Sequence, residues 1–184
     1  MTLPLRSVPA LLLSVSFSLL ACGPTAEEEP GPNTPDAPEV ELCPVLPASE
    51  VDPLLAPIAD GRSIATVRPG IKSCTYRIEP VGQLPAVGVL VDYTYHSSSD
   101  NARASIESAH ENAVSAGLTN IAWLEGFGDR AFISEQGAAV GIKLARGRLA
   151  MQVNVNKPDA GFDSLPPVVR ALTTRALEEL PARE

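Results

Sequence analysis

Thiols and imidazoles are the scarce reactive groups of this 184-residue sequence: Cys22, Cys43 and Cys74, with His96 and His110. His96 precedes Ser97-Ser98-Ser99-Asp100, so a Ser-His-Asp set can be drawn from near neighbours. Such a triad needs three groups converging on a substrate beside an oxyanion hole, which adjacent loop residues rarely achieve. No Gly-x-Ser-x-Gly elbow is present either. The segment reads instead as a polar loop that caps the next helix. His110 has Glu107 three residues before it and Glu111 beside it. A zinc site would need one or two further ligands, so this is read as a solvated helix face. Glu27-Glu28-Glu29 lacks the alternating ligands and turning glycine of a calcium loop. No residue is assigned to catalysis, to a cofactor or to a metal, and no cofactor is expected.

Cys22 has a different chemistry. Arg6 and an apolar run from Val8 to Ala21, broken by serines and Pro9, lead into Leu19-Leu20-Ala21-Cys22. The run is short for a membrane span, which needs about 20 apolar residues. It resembles the bacterial lipobox, in which a thiol nucleophile takes diacylglycerol as a thioether and becomes the mature N-terminus. Residues 1–21 are thus expected to be a lipoprotein signal peptide. Residues 22–41 hold the lipidated Cys22 and a Pro/Glu-rich linker, and 42–184 form a single domain. Acyl chains of the palmitate type on one cysteine anchor stably, because each buried CH2 contributes about 0.8 kcal/mol. The lipid bilayer is then one partner, reached through acylated Cys22. Gly23 follows the cysteine, with no aspartate there. The expected place is the outer membrane where the envelope has two membranes, and otherwise the outer face of the plasma membrane.

The linker from 23 to 41 carries five prolines and six acids and no basic residue. Such a segment buries too little to order itself and extends at about 3 Å per residue. The whole chain has 22 acidic and 14 basic residues, a net charge of -8, but 16 of the acids and 13 of the bases lie from residue 42 onward. Most of the acidity therefore belongs to the tether. This balance gives no grip on a nucleic-acid backbone. Aromatics at 4% argue against a stacking platform or a carbohydrate-binding face.

Cys43 and Cys74 remain. Two cysteines in an exported domain most simply form one disulfide, and their spacing is not that of a redox Cys-x-x-Cys. The domain opens with a broken helix over Leu46 to Ala56 that packs Val51, Leu54 and Leu55. Asp52-Pro53 is placed as its N-cap and first position, and Pro57 as its end. Strands are expected at 63–67, 74–78 and 86–95, the last with Val87, Val89, Val91, Tyr93 and Tyr95 on one side. A helix over 100–116 carries the stripe Ala102, Ile106, Ala109, Ala113 and Ala116, with Gly117 to stop it. Asn120 to Leu124 is a short strand or strand entry. Residues 130–134, 138–144 and 148–155 form a meander, and a helix over 164–180 closes the chain.

Alternating strands of this kind suit an α+β fold: an antiparallel sheet built from two helix-plus-three-strand halves, with helices packed mainly on one face. Trp123 and Phe127 are either core or an exposed binding edge. Gln152, Asn154 and Asn156, with Lys157, form the polar face of the last strand. The candidate binding surface is therefore Trp123, Phe127, Gln152, Asn154 and Asn156.

Cys43 with Leu46, then Cys74-Thr75-Tyr76, then Trp123-Leu124-Glu125-Gly126-Phe127-Gly128-Asp129-Arg130-Ala131-Phe132, then the strand from Gly147 to Val155 with its closing helix, occur together. The set resembles the actinobacterial-type lipoprotein domain of unknown function. Phe127 stands where that family has leucine, and Arg130 where it has an acid. The resemblance implies a lipid-anchored α+β domain and a Cys43–Cys74 bridge. It implies no enzymology. The expectation is a membrane-anchored extracytoplasmic lipoprotein that is a non-catalytic binding or scaffolding module of the cell envelope, with an envelope protein as its second partner. The alternative is a small hydrolase or a carrier of lipid or another hydrophobic ligand.

Overall fold

Alternation of apolar and polar residues builds the strands of this chain, and a computed structural model shows how they pair. It describes residues 40–160 and 162–183. The expected signal segment 1–21, Cys22 and the expected linker up to residue 39 lie outside the described residues. Four helices and seven strands are described. They are α1 (Leu42–Val45), α2 (Ala48–Ala59), β1 (Thr66–Pro69), β2 (Ser73–Ile78), β3 (Val87–Tyr95), α3 (Ser99–Ser115), β4 (Thr119–Trp123), β5 (Arg130–Gln136), β6 (Ala139–Arg146), β7 (Leu149–Asn156) and α4 (Leu165–Glu179). A single 3-10 turn, Phe162–Ser164, leads into α4.

The strands form one antiparallel sheet in the order β1-β2-β3-β7-β6-β5-β4. Two meanders, β1 to β3 and β4 to β7, meet along the β3–β7 seam. That seam runs in unbroken register from Gly88 opposite Asn156 to Tyr95 opposite Leu149. The second meander has four strands rather than three. Thr119–Trp123 is a full edge strand, with a register shift between Thr119 and Ala122. Asn120 sits there at φ 49°, a left-handed conformation that asparagine tolerates better than most residues.

The helices divide between the faces, α2 and α4 on one and α3 on the other. The main core joins Tyr76, Val89, Val91, Tyr93, Ile142, Leu144, Met151 and Val153 from one side of the sheet to Val51, Leu55 and Ile58 of α2 and Val169, Leu172 and Ala176 of α4. Helix α3 lies on the opposite side. Its Ala102, Ile106 and Ala113 pack on Phe132 and Ala145, with Ala150 beside them. Strand β5 is the reason: Ala131 and Ile133 point into the main core while Phe132, between them, points out to α3. Small residues at 145 and 150 let the helix approach closely. Ser98 caps α3 by accepting from the Asn101 amide. At its other end Gly117 N–H donates to the Val114 carbonyl and Leu118 N–H to that of Ala113. This is the closure that a left-handed glycine permits. Ala116, expected in the stripe, is exposed at that cap.

Helix α2 also departs from expectation. It starts at Ala48 and runs through both prolines to Ala59. Pro53 and Pro57 are four apart on the exposed side, where water can serve the carbonyls they leave unpaired. Asp52 is therefore not an N-cap; its carboxylate accepts from the Ile64 amide at 2.8 Å. The first strand starts three residues later than expected, at Thr66.

The start of the domain is fastened to the sheet at three points. Val40 donates to the Tyr93 hydroxyl and its carbonyl accepts from the same hydroxyl, both at 2.7 Å. Cys43 and Cys74 are bonded, with Cα atoms 5.2 Å apart. The buried Tyr76 hydroxyl donates to the Leu46 carbonyl at 2.5 Å. A desolvated phenol ionises with difficulty, and burial pushes the Tyr76 pKa up to about 12. Replacing Cys43 and Cys74 by serine is expected to cost about 3–4 kcal/mol from loop entropy, read as the loss in denaturant-unfolding free energy of the oxidised chain. A loss under about 1 kcal/mol would mean that the other two fastenings hold the segment without it.

Candidate functional site

One row of side chains crosses the α3 face of the sheet. Antiparallel register sets Asp92 of β3 opposite Gln152 of β7, Gln152 opposite Lys143 of β6, Lys143 opposite Phe132 of β5, and Phe132 opposite Trp123 of β4. Helix α3 covers the Phe132 end. The Asp92–Gln152–Lys143 end stays open, and the next two rows are open as well. They bring Leu90, Asn154, Gly141 and Ser134 into line, and then Gly88, Asn156, Ala139 and Gln136.

Two hollows lie in this open part. One, of about 190 Å³, is lined by Asp92, Thr94, His96, Ile106 and Ala150. The other, of about 320 Å³, is lined by Leu118, Ser134, Gln136, Gly141, Asn154 and Asn156. Lys143 and Gln152 line both, so the hollows form one trough beside α3. Its floor is low because glycine and alanine occupy 88, 139, 141 and 150. The side-chain amide of Asn154 lies across Gly141, its Oδ1 2.1 Å from where a Cβ would stand.

Among the described residues, the side-chain amides of Gln152, Asn154 and Asn156 form no hydrogen bond within the protein. Each carries two donors and an acceptor. Asp92 is half-buried, and that desolvation raises its carboxyl pKa; the Lys143 ammonium works in the opposite direction. The trough thus presents amides, hydroxyls, one ammonium and one reluctant carboxylate. It is suited to hydrogen-bonding a polar ligand.

The five expected surface residues do not form one patch. Gln152, Asn154 and Asn156 share the trough. Trp123 is on the same face but three strands away, roughly 14 Å, with α3 between. It is 39% exposed, stacked on His110 at 4.1 Å and edge-on to Phe132 at 5.8 Å. The Arg130 guanidinium lies 3.5 Å from its ring centre, and Arg130 Nε is 3.4 Å from Glu107. This cluster staples α3 to the sheet edge. Phe127 packs against the main core, with the Arg170 guanidinium 5.6 Å from its ring. Lys157 also leaves the expected face. It is buried, and its ammonium donates to Asp60 at 2.8 Å. That bond is the chief reason the Asp60 carboxyl titrates below its ordinary range.

The two histidines lie apart, His96 in the wall of the trough and His110 on Trp123. Among the described residues neither ring makes a hydrogen bond or ion pair, and no group of three His, Cys, Asp or Glu could hold a metal. Ser97 and Ser98 accept from Asn101 and serve the cap. The Gly-x-Gly-Asp turn is structural: Asp129 accepts from the Gly147 amide at 2.7 Å, and a Cβ on Gly128 (φ 74°) would meet the Ala145 carbonyl at 2.4 Å. Asp92, Thr94, Lys143 and Ser134 were not among the expected site residues. The polar side of β3, Asp92-x-Thr94, is the signal that points to the first two.

Gly128→Ala is expected to destabilise by about 1–3 kcal/mol, while Asn154→Ala and Asn156→Ala stay within about 0.5 kcal/mol, measured by chemical denaturation. Asp92→Asn should raise Tm at neutral pH. The raised pKa of Asp92 means the fold disfavours its charged form. The penalty is therefore full above the folded pKa and vanishes below the unfolded value of about 4. Thermal melts across that range should show the variant's advantage fade on acidification. No family model, curated protein or solved structure matches this chain.

Proposed function

We propose that this chain is an exported lipoprotein, anchored to a bacterial membrane through acylated Cys22, whose domain binds an envelope component without catalysis. The trough beside α3 is the binding surface. The observation that carries this reading is the row of Gln152, Asn154 and Asn156 amides, which the fold leaves unpaired over a floor of small residues. Two arginines elsewhere in the domain are, by contrast, used internally: Arg146 donates to the carbonyls of Leu177 and Leu180 at the end of α4, and Arg62 to those of Ala59, Glu79 and Pro85.

Anchoring is supported by the Leu19-Leu20-Ala21-Cys22 sequence and the acidic, proline-rich segment after it. No helix among the described residues is long and apolar enough to cross a membrane. Gly23 favours the outer membrane in a double-membrane envelope. The likeness to the actinobacterial-type lipoprotein domain supports the same reading, and so does the bonded pair Cys43–Cys74. The finer view of the fold as two related halves rests on each meander following a helix. Extra strand β4 and the opposed position of α3 make those halves unequal. An envelope protein suits the trough better than an apolar ligand, because the space between sheet, α2 and α4 is filled by core side chains.

Two experiments test the reading. Cys22→Ala is expected to abolish incorporation of labelled palmitate; undiminished labelling would contradict anchoring at this residue. A photo-crosslinking residue at 154 or 156, in cells, should give a discrete adduct that the same residue at Pro53, on the exposed side of α2, does not. Equal adducts from all positions, or none from the trough, would overturn the binding assignment.

A further inference from the structure

The unpaired amides of the trough lie in one line and at one interval. Gln152, Asn154 and Asn156 are alternate residues of β7, so all three stand on the α3 side of the sheet. At about 3.4 Å per residue, their side chains leave the strand about 6.8 Å apart. An extended polypeptide has the same interval. Along one of its edges a backbone N–H and C=O recur at every second residue. Each primary amide offers a donor and an acceptor to such a pair. Among the described residues, no protein group engages these three amides.

The surroundings leave room for one strand above β7. At the Asn154 and Asn156 rows its flanks are Leu90 and Gly88 of β3, and Gly141 and Ala139 of β6. Only Leu90 among these four has a long side chain. Beyond Asn156 a hollow of about 260 Å³ beside Gly88 and Pro158 continues the line. Helix α3 closes the other end, where Ala150 packs under it. At the Gln152 row the flanks are charged, Asp92 on the β3 side and Lys143 on the β6 side. Their strands are two spacings apart, roughly 10 Å. Opposite charges are thus set across the line of amides, one on each bank.

We propose that the trough holds an extended polypeptide segment of an envelope protein, gripped along one backbone edge by Gln152, Asn154 and Asn156. The inference rests on the binding reading above and names what is bound. With that edge turned to β7, successive side chains of the segment point alternately to β3 and to β6. At the Gln152 row the residue turned to Asp92 is basic, and its neighbour, turned to Lys143, is acidic. The reverse order would set like charges together. Further along, the segment meets Leu90 on one bank and only glycine and alanine on the other. The grip there is on main chain rather than on side-chain identity.

A photo-reactive residue is placed at 152, 154 or 156, one at a time, in the full chain in cells. Mass spectrometry then locates the attached residue of the partner. Each position leaves two amides in place. The attachment point should move along one partner segment by about two residues for each step of two along β7. A basic and an acidic residue should be neighbours at the point reached from 152. Asn154→Ala combined with Asn156→Ala should lower the adduct yield from 152 severalfold, at an unchanged level of the chain. Attachment points scattered over distant parts of a partner sequence would overturn this inference and leave a binding trough. So would a segment lacking the charge pair, an adduct carrying sugar or lipid, or an undiminished yield without the two asparagines. No adduct from any of the three positions would overturn the binding reading with it.

Discussion

The antiparallel seam between β3 and β7 is the constraint on which the rest of the molecule depends. Neither meander is a domain alone: a few strands with one apolar face cannot bury it. Joining Val89, Val91 and Tyr93 to Val155, Val153 and Met151 makes one continuous apolar surface, which α2 and α4 then cover. Because side chains alternate, the same register lines up Asp92 with Gln152 and Leu90 with Asn154 on the other face. Core and trough are two consequences of one pairing. A one-residue slip would exchange them.

The crossover helix α3 decides how much of the second face stays wet. It must travel from β3 at the middle of the sheet to β4 at its edge, and it lies over the strands it passes. Its stripe is narrow and its partners are Phe132, Ala145 and Ala150, so it covers the sheet at those positions and leaves the rows of Asn154 and Asn156 open. The stack of His110, Trp123 and Arg130 holds it at the edge. Trp123, which from sequence could be a binding edge, is thus spent on positioning the helix that borders the trough.

Much of this was legible in the chain. Strand β7 alternates so cleanly that its inward and outward residues could be assigned, and the polar row of Gln152, Asn154 and Asn156 followed. Cys43 and Cys74 could be paired because Cys22 was expected to carry lipid. Other features were hidden for physical reasons. Lys157 follows the polar row in sequence, but period two returns it to the core side, where Asp60 meets its charge. Proline usually ends a helix, yet Pro53 and Pro57 share one solvent-facing edge of α2 and remain inside it. Phe127 and Trp123 are close in sequence and fall on opposite faces, because a glycine turn separates them. Asp92 and Lys143 come from strands that are not adjacent, and only the sheet order brings them to one trough.

In the function proposed above, the trough is open in the folded chain and filled in the envelope. Lys143 stands at its middle, and its amine reports occupancy directly. The extent of acylation of Lys143 by a membrane-permeant amine reagent should be measured in intact cells and in the purified full-length protein. Ready modification of the purified protein and strong protection in cells are expected, with Lys157 unreactive in both because it is buried against Asp60. Equal modification of Lys143 in cells and in isolation would contradict that function.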